Sequence, residues 1–428
     1  MTPIDSLLSE LQRSGITGGA SLARALKVSA PTLSRWVTKA GGSVLRMGRT
    51  RSARYSLTRT VEGLGANSPV YRISQAGKVE PAGTLRFLAR GAHWLETGNT
   101  GELFEGLPPW AADMSPQGYL GYDFATRFPE LQLPPRIADW SDDHRLLALA
   151  RRGEDCVGNV IFGKESLDRW LANRAEPLPL SDFPQRAHQS VLVRAGSSAG
   201  GDQPKFLALV EDKHCIVKFA AGDTSAAAGR WRDLLACEHL ALEVLASRQI
   251  PAAASRLVDR EGMRFLVVER FDRIGLRGRR AILSLFALDN KYLGAGGNWT
   301  SLSLRLEQAG LCTAADARRL RWLDTFGQLI GNSDRHLGNI SFFDGGNGKW
   351  SLCPVYDMLP MLLAPVQTTV VERPFEPRGP TADTLDVWED AAQAAAYYLG
   401  KVTGSTGLSA KFRSWAKKAQ AAVMALSR

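Results

Sequence analysis

The sequence predicts an α+β chain with two lobes, preceded by a small and strongly basic helical domain. Three observations lead there. A polar run, Gly331-Asn332-Ser333-Asp334-Arg335-His336-Leu337-Gly338-Asn339, lies between an apolar helical pattern and an apolar strand, with Tyr356-Asp357 downstream. Of a net charge of +10 over 428 residues, residues 1–60 alone carry ten basic against two acidic side chains, a net of +8. Elsewhere short strand-like runs and amphipathic helices follow one another in mixed order without an internal repeat.

The length admits two or three domains, and 44% apolar with 22% charged residues is ordinary for a globular chain with a real core. Met1-Thr2-Pro3-Ile4-Asp5 has no positive segment ahead of an apolar stretch, and no apolar run is long enough to cross a bilayer. A cytoplasmic protein with no membrane partner is expected. Cys156, Cys215, Cys237, Cys312 and Cys353 are scattered without metal-binding spacing and read as reduced core thiols.

Taken in order, residues 1–62 follow the pattern of a winged helix-turn-helix. Thr2 can cap a first helix with Pro3 at its opening position, and Ile4, Leu7, Leu8 and Leu11 share one face. Leu22, Ala25 and Leu26 mark a second helix. After a turn at Val28-Ser29, Leu33, Trp36, Val37 and Ala40 mark a third, which Gly41-Gly42 ends. Its outward residues Thr32, Ser34, Arg35 and Lys39 would read bases. Residues 44–47 and 53–57 read as two strands around a basic wing, whose Arg46, Arg49, Arg51 and Arg54 would meet phosphates. A compact basic segment is the footprint of a phosphate-backbone binder; a helical docking module with solvated arginines is the alternative.

Glu62-Gly63-Leu64-Gly65-Ala66-Asn67-Ser68-Pro69 reads as a domain boundary. From residue 70 to 193 the signals are mixed, with a helical run at 145–150 and a strand at 157–162, and no catalytic spacing appears. This stretch reads as scaffold. Domains of 1–62, 68–270 and 271–428 are expected.

Between strand-like runs at 191–193 and 206–210 lies Ser197-Ser198-Ala199-Gly200-Gly201-Asp202-Gln203-Pro204-Lys205, whose small residues can close over phosphates although it lacks Walker A spacing. An ordinary turn reads the same way. Lys218 follows in the apolar strand 214–219, where kinases carry a phosphate-pairing lysine, and Glu238 in the helix 231–245 is its natural partner. Residues 265–273 leave a buried strand for a charged segment, as at a hinge between lobes, with Glu269 and Phe271 beside an adenine.

The polar run closes the argument. Asp334 precedes Asn339 by five positions, the separation at which a protein-kinase loop places its base and a magnesium-binding asparagine, and Asp357 stands where the second metal carboxylate belongs. The run is flanked by a helix at 321–330 and a strand at 340–343, and a further strand at 350–356 delivers Asp357. A capped turn is the bland alternative.

From Asp155 to Met358 these residues resemble the HipA family of serine/threonine kinases, toxin halves of toxin–antitoxin pairs, on the motifs Ser198 to Lys205, Val268 to Arg273, Asp334 to Asn339 and Val355 to Asp357. The resemblance implies a bilobal protein-kinase-like fold and an ATP- and Mg²⁺-dependent enzyme. It makes Asp334 the base, Asn339 and Asp357 metal ligands, and Lys218 and His336 neighbours of the phosphates. It also implies autophosphorylation at Ser198 and a protein substrate among translation components such as aminoacyl-tRNA synthetases. The family usually works with a separate DNA-binding antitoxin; a winged helix fused to the chain resembles the YjjJ-type members and leaves that partner open. A phosphoinositide-like lipid or small-molecule kinase, and a transcription regulator with a nucleotide-sensing kinase-like domain, fit the same residues.

Overall fold

The structure, a computed structural model, describes residues 2–49, 52–122, 124–174, 176–192 and 203–426. The chain divides into two compact units: Met1–Ser74, Lys78–Ser115 and Glu130–Asn173 form the first, and Gln75–Gly77, Pro116–Pro129 and Arg174–Arg428 the second.

The first unit opens with α1 (Pro3–Ser14), β1 (Thr17–Gly18), α2 (Gly19–Ala25), α3 (Ala30–Ala40), β2 (Val44–Met47) and β3 (Arg54–Leu57), the strands pairing antiparallel in the order β1-β3-β2. Thr2 and Asp5 start α1 as a reciprocal cap: Asp5 N donates to Thr2 Oγ1 at 3.1 Å and Thr2 N to Asp5 Oδ2 at 2.8 Å. Ser29 caps α3 one way only, its Oγ accepting from Thr32 N at 3.3 Å. Leu7, Leu11, Leu22, Leu33, Val44 and Tyr55 form the core of this part.

A five-stranded antiparallel sheet follows, in the order β7-β6-β5-β4-β8. Its strands are β4 (Asn67–Ile73), β5 (Val79–Phe87), β6 (Ala92–Thr97), β7 (Thr100–Glu105) and, after α4 (Pro109–Met114), the short helices α5 (Gly118–Tyr122) and α6 (Phe124–Arg127) of the second unit, and α7 (Asp142–Arg152), the strand β8 (Val160–Phe162) ahead of α8 (Lys164–Ala172). The helix expected at 145–150 is longer because Ser141 caps it, accepting from His144 N at 3.3 Å. The strand expected at 157–162 is shorter, Val160–Phe162. Leu85, Phe87, Phe104, Leu146, Leu149 and Phe162 fill the space between sheet and helices.

The two parts of this unit share contacts. Met47 packs with Leu88 and Ala92. Arg59 grips both oxygens of Asp143 at 2.6 and 2.7 Å, and Arg90, held at φ 60°, donates to the terminal α1 carbonyls of Gln12 and Arg13 at 3.1 and 2.7 Å. Those carbonyls have no partner within the helix, so the guanidinium acts as its cap.

The second unit corrects one expectation at once. Residues 191 and 192 end a helix, α9 (Phe183–Leu192), where a strand was expected. The fully buried Phe183 and Ala187 stand four apart, and that helical spacing outweighs a three-residue apolar run. A four-stranded antiparallel sheet, in the order β11-β12-β10-β9, is built from β9 (Lys205–Val210), β10 (Lys213–Ala220), β11 (Ser255–Arg260) and β12 (Met263–Glu269), with α10 (Ala226–Ser247) against it. Phe206, Val217, Phe219, Phe265 and Phe183 form its core.

Beyond it come β13 (Arg273–Ile274), β14 (Gly278–Arg279), β15 (Ile282–Ser284), α11 (Leu285–Leu288), α12 (Trp299–Gln308), α13 (Ala314–Leu329), β16 (Ser341–Asp344), β17 (Trp350–Leu352), α14 (Leu385–Gly404) and α15 (Ala410–Leu426). Strands β15, β16 and β17 make one small antiparallel sheet. The strand expected at 350–356 stops at Leu352, because Pro354 has no N–H to continue a ladder. Val355 instead bonds alongside Ala252, its N–H donating to Pro251 O at 2.9 Å. The segment after β12 is charged but not solvated: Asp272, 4% exposed, sits between Arg270 and Arg273.

None of the five cysteines is in a disulfide; Cys215, Cys237 and Cys353 are buried, whereas Cys156 and Cys312 are only half-buried. Burial pushes the Cys215 thiol up to about 11 and the Cys312 thiol up to about 12, which suits inert groups. No helix among the described residues is long and apolar enough to cross a membrane.

Candidate functional site

Lys218 lies in the middle of β10, and Glu238 three turns into α10, which packs on that strand. The ammonium donates to both Glu238 oxygens, at 2.6 and 2.7 Å, and also to Asp357 Oδ1. Lysine and glutamate side chains are 8% and 1% exposed, so the pair is shut away from water. Lys205 is the direct cross-strand partner of Lys218 on β9, which puts a second cation on the same face.

One ammonium between two carboxylates sets the electrostatics. Burial opposes the Lys218 charge, but Asp357 and then Glu238 outweigh it and raise its pKa, so it stays protonated. Burial pushes the Glu238 carboxyl up against the pull of Lys218. Burial works the same way on Asp357, but there Lys218, then Lys205, prevail and hold the carboxyl below its ordinary value. Of the two carboxylates on Lys218, Asp357 is thus the one held ionised.

Asp357 sits at φ 53°, a left-handed conformation that a side chain with a Cβ adopts at a cost of roughly 1–3 kcal/mol. Such strain persists only where the surroundings hold it. Asn332, 1% exposed, does so from the loop after α13: its Nδ2 donates to Asp357 O at 3.3 Å while its Oδ1 accepts from Asp334 N at 3.0 Å. One amide thus joins the backbones of both aspartates.

The loop is pinned at further points. Asn339 Nδ2 donates to Asp334 O at 2.8 Å, which leaves the amide oxygen as its atom able to ligate a cation. Tyr356 OH donates to Gly338 O at 3.0 Å, and Trp299 Nε1 to His336 O at 3.0 Å. His336 Nδ1 accepts from Gly338 N at 3.1 Å, so its Nε2 carries the proton when the ring is neutral, 3.9 Å from Asp334 Oδ1. The Asp334 side chain is half exposed.

Gln203 Nε2 donates to Phe219 O at 2.6 Å, and its Oε1 is buried without a partner among the described residues. The half-buried Phe271 ring lies 5.6 Å from that of Tyr356, the neighbour of Asp357. Glu269 ends β12: its N–H donates to Ala254 O at 2.8 Å and its carboxylate lies 3.5 Å from Lys213, where Cys215, Ser255 and Arg256 line a cavity of about 140 Å³. Ser198, Ala199, Gly200 and Gly201 lie outside the described residues.

In the first unit, Ser34, Arg35, Lys39, Arg46, Arg49 and Arg54 are exposed, and Thr32 is half-buried with its Oγ1 accepting from Arg35 Nη2 at 3.2 Å. Arg49 donates to Asn99 Oδ1 in the turn between β6 and β7. Arg51 lies outside the described residues.

Sequence reasoning missed Asn332, Trp299 and Tyr356. Asn332 had a local signal, an Asx-type bond to the N–H two residues on. Trp299 had none, since its partner is 37 residues away.

The chain matches a family described as YjjJ-like toxin, middle domain, over residues 64–171, and one described as HipA-like C-terminal domain over residues 197–425. It is 34% identical over 374 residues to Toxin YjjJ of Escherichia coli (strain K12), covering 84% of each chain. It is similar in fold to a chain of the Shewanella oneidensis MR-1 toxin–antitoxin system of HipA, HipB and its operator DNA, with a TM-score of 0.50 and 17% identity, covering 75% of this chain and 84% of that one.

Proposed function

Because the chain belongs to the family of HipA-like and YjjJ-like toxins, we propose that it is an ATP- and Mg²⁺-dependent serine/threonine protein kinase with a winged helix-turn-helix DNA-binding domain on the same chain. The observation that carries the kinase reading is the linked set Glu238–Lys218–Asp357–Asn332–Asp334. It holds a buried lysine, a strained carboxylate and an exposed carboxylate in one hydrogen-bonded unit.

In this reading Asp334 accepts the proton of the attacking hydroxyl, and its half-exposed side chain gives that hydroxyl access. Asn339 and Asp357 hold Mg²⁺; an amide oxygen and a carboxylate are the hard donors it prefers. Bound there, Mg²⁺ neutralises charge on the transferring phosphates. Lys218 keeps Glu238 as a partner when its contact with Asp357 is given up, so it can turn to phosphate without becoming an unpaired buried charge. Lys205, Gln203 and His336 serve the phosphates, the run Ser198 to Gly201 is assigned to them from its sequence alone, and Phe271 with Glu269 borders the adenine. We take 68–270 and 271–428 as the lobes.

The substrate is a protein hydroxyl on a translation component, an aminoacyl-tRNA synthetase being the leading candidate. Residues 1–62 are the DNA-binding domain, supported by helices and strands in the order α1-β1-α2-α3-β2-β3 and by the exposed arginines of β2 and β3. Fusion holds reader and kinase at high effective concentration, which fits autoregulation with or without a separate antitoxin. Incubation of purified chain with γ-labelled ATP, Mg²⁺ and a bacterial lysate tests the reading. Label on protein supports it; label on lipid alone, or none with ATP still bound, replaces it with a lipid kinase or a nucleotide-sensing regulator.

A further inference from the structure

The arginine next to Asp334 already has its counter-charge inside the fold. Arg335 Nε donates to Asp324 Oδ1 at 2.8 Å, and Asp324 sits on α13 at 9% exposure. The other oxygen, Oδ2, accepts from Thr300 N at 3.2 Å and Thr300 Oγ1 at 2.8 Å, at the first turn of α12, where a carboxylate is favoured. Trp299, one residue before, holds His336 O. A single carboxylate therefore ties the loop to two helices, on both sides of Arg335.

The helix is shaped for it. Gly327 lies one turn beyond Asp324, and a Cβ there would stand 2.6 Å from Arg335 Cδ, so a larger residue would push the arginine stem aside where it crosses α13. Arg335 Nη1 then reaches back to Asn332 O, the residue that joins Asp334 to Asp357. In kinases switched on by phosphorylation, an added phosphate pairs with arginine and orders the segment around the site. Here Asp324 supplies a negative charge to Arg335 from within the fold.

We propose that Asp324 is a positioning residue that holds the Asp334 loop in its working shape through Arg335, so that phosphoryl transfer needs no activating phosphorylation. The inference rests on the kinase reading above. Its test compares wild type, Asp324→Asn, Arg335→Gln and the double variant for kcat, KM for ATP, ATP affinity by titration, and thermal unfolding. Asp324→Asn should lower kcat on the order of 10²-fold, the usual effect of a small misplacement of catalytic groups, with ATP affinity and KM unchanged. The double variant should be no worse than the worse single one, because the two act through each other. Phosphatase treatment should not lower the wild-type rate. The inference is overturned by wild-type kcat in Asp324→Asn, by loss of ATP affinity in parallel with kcat, which would make Asp324 merely structural, or by a phosphatase-sensitive rate. A wild type that transfers no phosphate overturns the kinase reading and this inference with it; an active wild type with an unaffected Asp324→Asn overturns the inference alone.

Discussion

Lys218 shares one charge between two carboxylates, and that sharing predicts how each neighbour behaves when removed. Glu238→Ala leaves a buried ammonium leaning on Asp357 alone and should destabilise the second unit by about 3–5 kcal/mol, the usual cost of breaking a buried pair; denaturant unfolding of the variant checks this, and a loss well under 1 kcal/mol would mean the pair is not buried in solution. Asp357→Ala should remove Mg²⁺-dependent ATP binding and also unfold earlier, because alanine keeps a Cβ at the left-handed φ and Lys218 loses one of its two counter-charges; titration and melting read the two effects separately. At this scale the spacing of Asp334, Asn339 and Asp357 could be read directly, because it is local. The bridging role of Asn332 and the clamp by Asp324 could not. Asp324 left one trace, a lone carboxylate in the apolar stretch Trp322-Leu323-Asp324-Thr325-Phe326, which is rare unless paired.

The β6–β7 hairpin and the elements around it make the first unit sensitive to acid. His93 on β6 is buried, with Nδ1 donating to Gly106 O at 2.7 Å, and burial depresses its pKa. The unfolded imidazole takes up its proton near pH 6.5 while the folded one does not. Stability is thus full above that pH and falls as pH drops from about 6.5 toward the lower folded value. Unfolding midpoints of His93→Gln, whose amide can still donate to Gly106 O, should lose that slope; an unchanged slope assigns it elsewhere. For DNA, removing Arg46 or Arg54 should weaken binding to every sequence and cut the salt slope by about 1 each, whereas Arg35→Ala should alter sequence preference. Gel shifts with the full chain in rising salt check both, and binding that ignores salt would count against phosphate contact. Elements with a capped amphipathic face, such as α1 and α3, were legible because Thr2, Pro3 and Ser29 mark their starts. The five-stranded sheet was not, since β4 to β8 bring together residues up to about ninety positions apart and its strands lack clean alternation. Helix α9 was misread because three apolar residues say nothing of period.

Across the whole molecule, the proposed kinase reading requires the run that holds Ser198 and the base Asp334 to act on one nucleotide. In that reading Ser198→Asp should lower ATP affinity more than Ser198→Ala, since an added negative charge would repel the nucleotide phosphates; equal affinities would remove Ser198 as a switch. The direct test of the central claim is transfer from γ-labelled ATP by wild type and by Asp334→Asn, with ATP binding measured on both. An amide in place of the carboxylate cannot accept the hydroxyl proton, so Asp334→Asn should bind ATP with Mg²⁺ as wild type does and lose transfer by at least about 10²-fold. Undiminished transfer by Asp334→Asn would contradict the account.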